Sequence, residues 1–166
     1  MTTASDIPSL APRPAQRAKG RNLMAVASGK GGVGKTWFSI TLAHAMARAG
    51  RKVLLFDGDL GLANVDIQLG QMPKADLGNV VAGRMTLNQA CVPFTEGGFD
   101  ILAGRSGSGT LANIPLSRLQ MLGDDLVVLS NSYDKVIVDL GAGVEKTTRN
   151  FAQQAGTILV DRKSVV

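Results

Sequence analysis

At 166 residues the chain has room for one domain and not for two ordinary ones. Apolar residues make up 45% and charged residues 19%, which excludes a disordered chain, and no apolar run approaches the ~20 residues of a membrane span. Of the net charge of +5, most lies in residues 1–21, where Arg13, Arg17, Lys19 and Arg21 face only Asp6; the body is nearly neutral, which argues against a nucleic-acid binder.

Residues 1–21, with three prolines and dispersed basic charge, read as a tail. They have no apolar core behind a basic start, so they do not read as a secretory leader. Leu23–Ala27 is a short apolar run bounded by Ser28-Gly29, a buried strand. After a glycine-rich loop, Phe38, Leu42, Ala45, Met46 and Ala49 recur at helical spacing, predicting a helix over Lys35–Ala49 stopped by Gly50. Within it His44 reads as an ordinary helix residue, and Arg48, Arg51 and Lys52 as a solvated helix end. Val53–Phe56 is a second strand, with Asp57 at its carboxyl end.

Leu77–Val81 and Thr86–Cys91 predict short helices. Cys91 is the lone cysteine; it excludes an internal disulfide and a multi-thiolate metal site, fits a reducing cytoplasm, and reads as a small apolar residue. Phe99–Leu102 predicts a third strand, Ala103–Thr110 a loop, and Leu116–Ser130 a helix weakened by Gly123 and Val127-Val128. Val136–Leu140 is a fourth strand, Val144–Gln154 a helix and Thr157–Val160 a fifth strand. Strands and helices alternating at this spacing predict an α/β fold with a mainly parallel sheet and a ligand at the carboxyl ends of its strands.

The segment Gly29–Thr36, G-K-G-G-V-G-K-T, fits the phosphate-loop pattern and lies between a predicted strand and a predicted helix. Gly29, Gly31, Gly32 and Gly34, with Val33, let backbone N–H groups approach phosphate oxygens, and the helix starting at Lys35 aims its positive end at the same anion. Lys35 reaches the β and γ phosphates, and the Thr36 hydroxyl ligates Mg²⁺ directly. Trp37, where a small or polar residue is expected, extends this nucleotide-binding run and reads as packing. The loop predicts a nucleotide's phosphates and Mg²⁺ as ligands.

Lys30, a second lysine just after the first glycine, has no task in a generic phosphate loop. With it, K-G-G-V-G-K-T resembles the deviant Walker A loop of the MinD/ParA class of P-loop ATPases. The resemblance implies ATP as the nucleotide, and that Lys30 crosses to a partner's nucleotide in an ATP-dependent homodimer, where it stabilises phosphate charge in trans.

Two carboxylate segments complete the pattern. In Phe56–Gly70, F-D-G-D-L-G-L-A-N-V-D-I-Q-L-G, Asp57 and Asp59 sit where a carboxylate can hold a water on Mg²⁺ or orient an attacking water. The resemblance makes Asp59 the hydrolytic aspartate and Asp57 its support near the metal, through water, and places Asn64 and Asp66 on the switch or dimer surface. In V-I-V-D-L-G-A-G, Asp139 ends an apolar strand as in a Walker B segment and bonds a water on Mg²⁺, while Gly141 and Gly143 form a turn near the γ phosphate.

The stretches D-G-D-L-G-L-A-N-V-D and D-L-G-A-G resemble the MinD branch and, within it, the FlhG/FleN type that limits flagellar number. This implies a positional ATPase switch: cytoplasmic, peripheral at the inner face of the membrane, with an FlhF-type GTPase or flagellar regulators as partners. The tail A-P-R-P-A-Q-R-A-K-G-R lacks the D-Q-A motif common in that type, which weakens the expectation of an FlhF-type partner. Alternatives are a nucleotide-holding scaffold without turnover, a ParA-like partition ATPase and an Mrp-type iron–sulfur carrier; the neutral body makes DNA an unfavoured partner. The expected organisation is a tail over 1–21, an ATPase domain over 22–160 and a non-family end over 161–166. The family continues past this point with the adenine-binding elements and, in membrane-bound members, an amphipathic helix, so the chain is expected to be C-terminally truncated.

Overall fold

The computed structural model describes residues 19–104, 111 and 113–161. Most of the basic tail, the stretch 105–110 and the last five residues lie outside these. Six strands form one sheet: β1 (Gly20–Ser28), β2 (Val53–Asp57), β3 (Val92–Phe94), β4 (Phe99–Leu102), β5 (Lys135–Ala142) and β6 (Ala155–Asp161), in the order β3-β4-β2-β5-β1-β6. Every neighbouring pair is parallel except the edge hairpin of β3 and β4. The described helices are α1 (Lys35–Arg48), α2 (Val65–Gln68), α3 (Leu77–Val81), α4 (Leu87–Ala90), α5 (Leu116–Ser130) and α6 (Lys146–Gln154). None is long and apolar enough to cross a membrane.

The continuous apolar runs of β2 and β5 follow from burial on both faces. Leu54, Phe56, Val136 and Val138 pack with Leu119, Leu122 and Leu126 of α5 and Phe151 of α6. Val53, Leu55 and Ile137, one residue out of phase, pack with Ala43 of α1 on the other face. The rings of Phe56 and Phe151 meet edge to face with centroids 5.1 Å apart.

Three features depart from the pattern of the sequence, while a fourth, α4, matches the short helix expected over Thr86–Cys91. β3 is a three-residue strand containing an exposed Pro93, confined to the sheet edge where a missing N–H costs no ladder bond. α2 is a single turn within Phe56–Gly70, where the sequence reading assigns no helix. α5 runs unbroken through Gly123, because α6 packs closely there: a Cβ on Gly123 would lie 3.0 Å from Asn150 Nδ2 and 3.1 Å from Gln154 Nε2. α4 is four residues long, held by a capping box in which Thr86 N donates to Gln89 Oε1 (2.9 Å) and Gln89 N to Thr86 Oγ1 (3.3 Å).

The end of the sheet away from the glycine loop carries its own polar cluster. Tyr133 donates its hydroxyl to Asp100 Oδ2 at 2.8 Å, and the Lys52 ammonium sits 4.8 Å from the centre of the Tyr133 ring. Lys52 is thus part of a contact, not only a solvated helix end. His44 packs edge-on against Phe99, with ring centroids 5.1 Å apart. Half-buried Cys91 donates to the Leu87 carbonyl at 3.3 Å, and burial pushes its thiol up to about 11. The nucleophile is the thiolate, so alkylation of Cys91 by iodoacetamide at pH 8 is expected to run ~100-fold slower than that of an unperturbed thiol. The rate should recover in urea; a native rate equal to the denatured one would contradict this placement.

Candidate functional site

The site lies where the parallel strands end. β1 stops at Ser28 and the chain turns through residues 29–34 into α1. Gly32 and Gly34 have φ of 72° and 93°, a region that side chains rarely adopt, so the loop turns only because these positions are glycine. A Cβ placed on Gly29, Gly32 or Gly34 would meet nothing within 4 Å. The loop therefore presents open backbone to the solvent side. α1 begins after Gly34 without a side-chain cap, which leaves its first-turn N–H groups for an incoming anion.

Ser28 fixes this loop from below. Its Oγ donates to the Lys30 carbonyl at 2.6 Å, and its own carbonyl accepts from Gly143 N at 3.0 Å. One buried residue thus joins the glycine loop to the turn that follows β5.

β2 and β5 deliver two carboxylates in register, Asp57 opposite Asp139, and Gly58 N donates to the Asp139 carbonyl at 2.8 Å. Asp57 is fully buried. Its Oδ2 accepts from Asn64 N (2.8 Å) and Val65 N (2.9 Å), and its Oδ1 from Asp59 N (3.3 Å). Burial pushes its acid form up to about 7 against the pull of these N–H groups, and the neighbouring Asp139 adds to the rise. Asp57 therefore holds the loop 58–65 by its backbone.

Asp139 is also raised by burial, countered by the Thr36 and Ser39 hydroxyls and the Lys35 ammonium. Ser39 Oγ donates to its Oδ1 at 3.0 Å. Asp59 is half-buried; its Oδ1 accepts from Leu62 N (3.0 Å) and Gly61 N (3.3 Å), and its carboxylate lies against Gly141, where a Cβ would approach to 3.2 Å.

Gly31, Gly32, Gly34, Lys35, Thr36, Trp37, Asp59 and Asp139 all line one open cleft of about 850 Å³, within the range of small-molecule sites. Asn64 lines it as well, while Asp66 accepts from Ile67 N at 2.9 Å on α2. Gly29, Lys30, Val33, Asp57 and Gly143 are not on its wall; Lys30 is exposed on the outside of the loop, and Gly143 is tied to Ser28. Trp37 is not a packing residue: it is 68% exposed and stands at the cleft rim. Reading the sequence missed Ser39 and residues 145–148, which open α6 onto the cleft. A serine one helical turn after the loop threonine, on the predicted helix, was the available signal for the first.

The open cradle suits a polyphosphate, and the oxygen donors beside it suit a hard divalent cation. Among the described residues no cluster of three acidic, histidine or cysteine side chains could hold an ion alone.

Residues 24–163 match the model of the CobQ/CobB/MinD/ParA nucleotide binding domain. The chain belongs to this family. Antiactivator FleN of Pseudomonas aeruginosa is 40% identical over 140 residues, which cover 83% of this chain and 49% of that protein. The flagellum site-determining protein YlxH of Helicobacter pylori is 36% identical over 138 residues, covering 82% of this chain and 46% of that protein. Among solved structures, septum site-determining protein MinD of Pyrococcus horikoshii, complexed with Mg-ADP, superposes with a TM-score of 0.74 at 28% identity, over 84% of this chain and 56% of that one. The chain spans about half the length of the curated relatives it matches. The mainly parallel sheet with helices on both faces is thus the CobQ/CobB/MinD/ParA form of the P-loop fold.

Replacing Asp57 by alanine would orphan the buried amides that it receives, at about 1–3 kcal/mol each. Hydrogen exchange at Asn64 and Val65 is expected to speed up strongly in Asp57→Ala, while the Asp59-bonded amides of Gly61 and Leu62 change less. Unchanged exchange at Asn64 and Val65 would contradict the staple.

Proposed function

We propose that this chain is the nucleotide-binding part of a MinD/ParA-type ATPase switch that dimerises on ATP and controls the number or placement of flagella. The observation that carries the reading is the open glycine cradle between β1 and α1, with Lys35, Thr36, Asp59 and Asp139 around one cleft. Family membership supports ATP with Mg²⁺ as the ligand, and the likeness to FleN and YlxH supports the flagellar role. The expected boundaries, a tail over 1–21, an ATPase domain over 22–160 and a non-family end over 161–166, each shift slightly: β1 starts at Gly20 and β6 runs to Asp161, so the ATPase domain would take in both. A cytoplasmic location, peripheral at the membrane, and an FlhF-type GTPase or flagellar regulators as partners belong to the same proposal.

Each residue has a task in this reading. The loop glycines, Val33 and the first turn of α1 hold the phosphates by backbone N–H groups, and Lys35 neutralises them. Mg²⁺, held by the Thr36 hydroxyl and through water by Asp139, would screen phosphate charge. Asp59, fixed by Gly61 and Leu62, orients the water that attacks the γ phosphate in line. Asp57 supports it by holding the same loop. Lys30, exposed outside the cleft, reaches the nucleotide of a second copy, and this makes the loop a deviant Walker A.

Calorimetry with Mg-ATP tests the site. The unaltered chain is expected to bind, and Lys35→Ala to lose binding while melting cooperatively. Lys30→Ala should bind nucleotide as before but fail to dimerise in light scattering. Asp59→Ala should bind and dimerise, with steady-state phosphate release lower by roughly 100-fold or more. No binding by a well-folded unaltered chain would sink the proposal; binding and dimerisation without phosphate release would leave a scaffold.

A further inference from the structure

Ser39 lies one turn after Thr36 on α1 and has no exposed surface. Serine is a poor choice there. Its hydroxyl competes with the helix backbone, and a buried hydroxyl must find a partner. A serine or threonine inside a helix usually bonds back to the carbonyl four residues earlier. Thr41, on the exposed side of the same helix, does so: its Oγ1 donates to the Trp37 carbonyl at 2.8 Å. Ser39 instead reaches across to β5 and donates to Asp139 Oδ1 at 3.0 Å. Both residues are buried, Ser39 at 0% and Asp139 at 2% exposure, so this bond is shielded from water and worth more than a surface contact.

The bond meets the carboxylate from the buried face of α1, while Asp139 also lines the cleft beside Thr36. A carboxylate gripped at one oxygen cannot rotate about its last torsion without losing that grip. The same helix thus supplies Lys35 and Thr36 to the cleft and the group that sets how Asp139 faces it. We propose that Ser39 is a positioning residue: its hydroxyl fixes the Asp139 carboxylate toward the cleft and so sets the divalent-cation requirement of nucleotide binding. This rests on the ATP-site reading above. It separates two functions within one helix turn, since Lys35 grips phosphate with or without a cation whereas Ser39 acts only through the cation's partner.

The test is a titration of a fluorescent ADP analogue at varied Mg²⁺ and, separately, in EDTA. Ser39→Ala is expected to raise the half-saturating Mg²⁺ concentration by about 10-fold or more, as loss of a supporting hydrogen bond does at metal sites. Affinity in EDTA should stay within about twofold, and Ser39→Thr, which keeps the hydroxyl, should restore most of the Mg²⁺ response. Should Ser39→Ala fail to fold, Ser39→Cys, similar in shape and a weaker donor, carries the same comparison. Equal weakening with and without Mg²⁺ would show that Ser39 only ties α1 to β5 and would overturn the proposal, as would an unchanged Mg²⁺ response in a folded variant. Failure of the unaltered chain to bind the analogue in any condition would overturn the ATP-site reading and this inference with it.

Discussion

The register of β2 on β5 sets Asp57 beside Asp139 at the carboxyl end of the sheet, with both carboxylates out of water. Two buried acids side by side are costly unless each is surrounded by donors. The surroundings of the site follow from that demand. Asp57 takes backbone N–H groups from the loop behind it, so the loop 58–65 folds down onto the sheet. Asp139 takes the Ser39 hydroxyl of α1, so the helix that follows the glycine loop is tied to the neighbouring strand. Donors that relieve the two acids also fix the parts of the site to one another.

The sheet gives this arrangement its rigidity. β2 and β5 are covered on both faces, by α5 and α6 on one and by α1 on the other. Loops rooted in such strands inherit their fixed spacing. Ser28 extends the effect by joining the glycine loop and the turn after β5 through one residue. The glycine loop, the loop 58–65 and the turn after β5 are thus held to the sheet or to one another, although each is irregular in backbone.

Much of the fold was legible because a doubly covered parallel strand has to be apolar throughout. Leu23–Ala27, Val53–Phe56 and Val136–Leu140 show this and all lie inside observed strands. The glycine loop was legible because its chemistry needs particular residues at fixed spacing. β3 was not, since three residues with a proline carry no period and exist only by pairing with β4. Gly123 argued against a continuous α5, yet its purpose is the approach of Asn150 and Gln154, a tertiary fact. In the site, spacing located Asp57 and Asp139, but the orientation of a carboxylate depends on which donors surround it. That is why the backbone hold of Asp57 and the hydroxyl from Ser39 emerge only in three dimensions.

Trp37 is the sole tryptophan of the chain, and it stands largely in solvent beside the loop threonine. Its emission therefore begins close to that of an indole in water. Unfolding moves such a ring from one aqueous surrounding to another, so intrinsic fluorescence would follow denaturation of this chain poorly. The same ring stands at the rim of the cleft, and any molecule that covered it would shift the emission to the blue. The chain thus carries a built-in optical reporter that is nearly blind to global unfolding and sensitive to what happens at the mouth of the cleft.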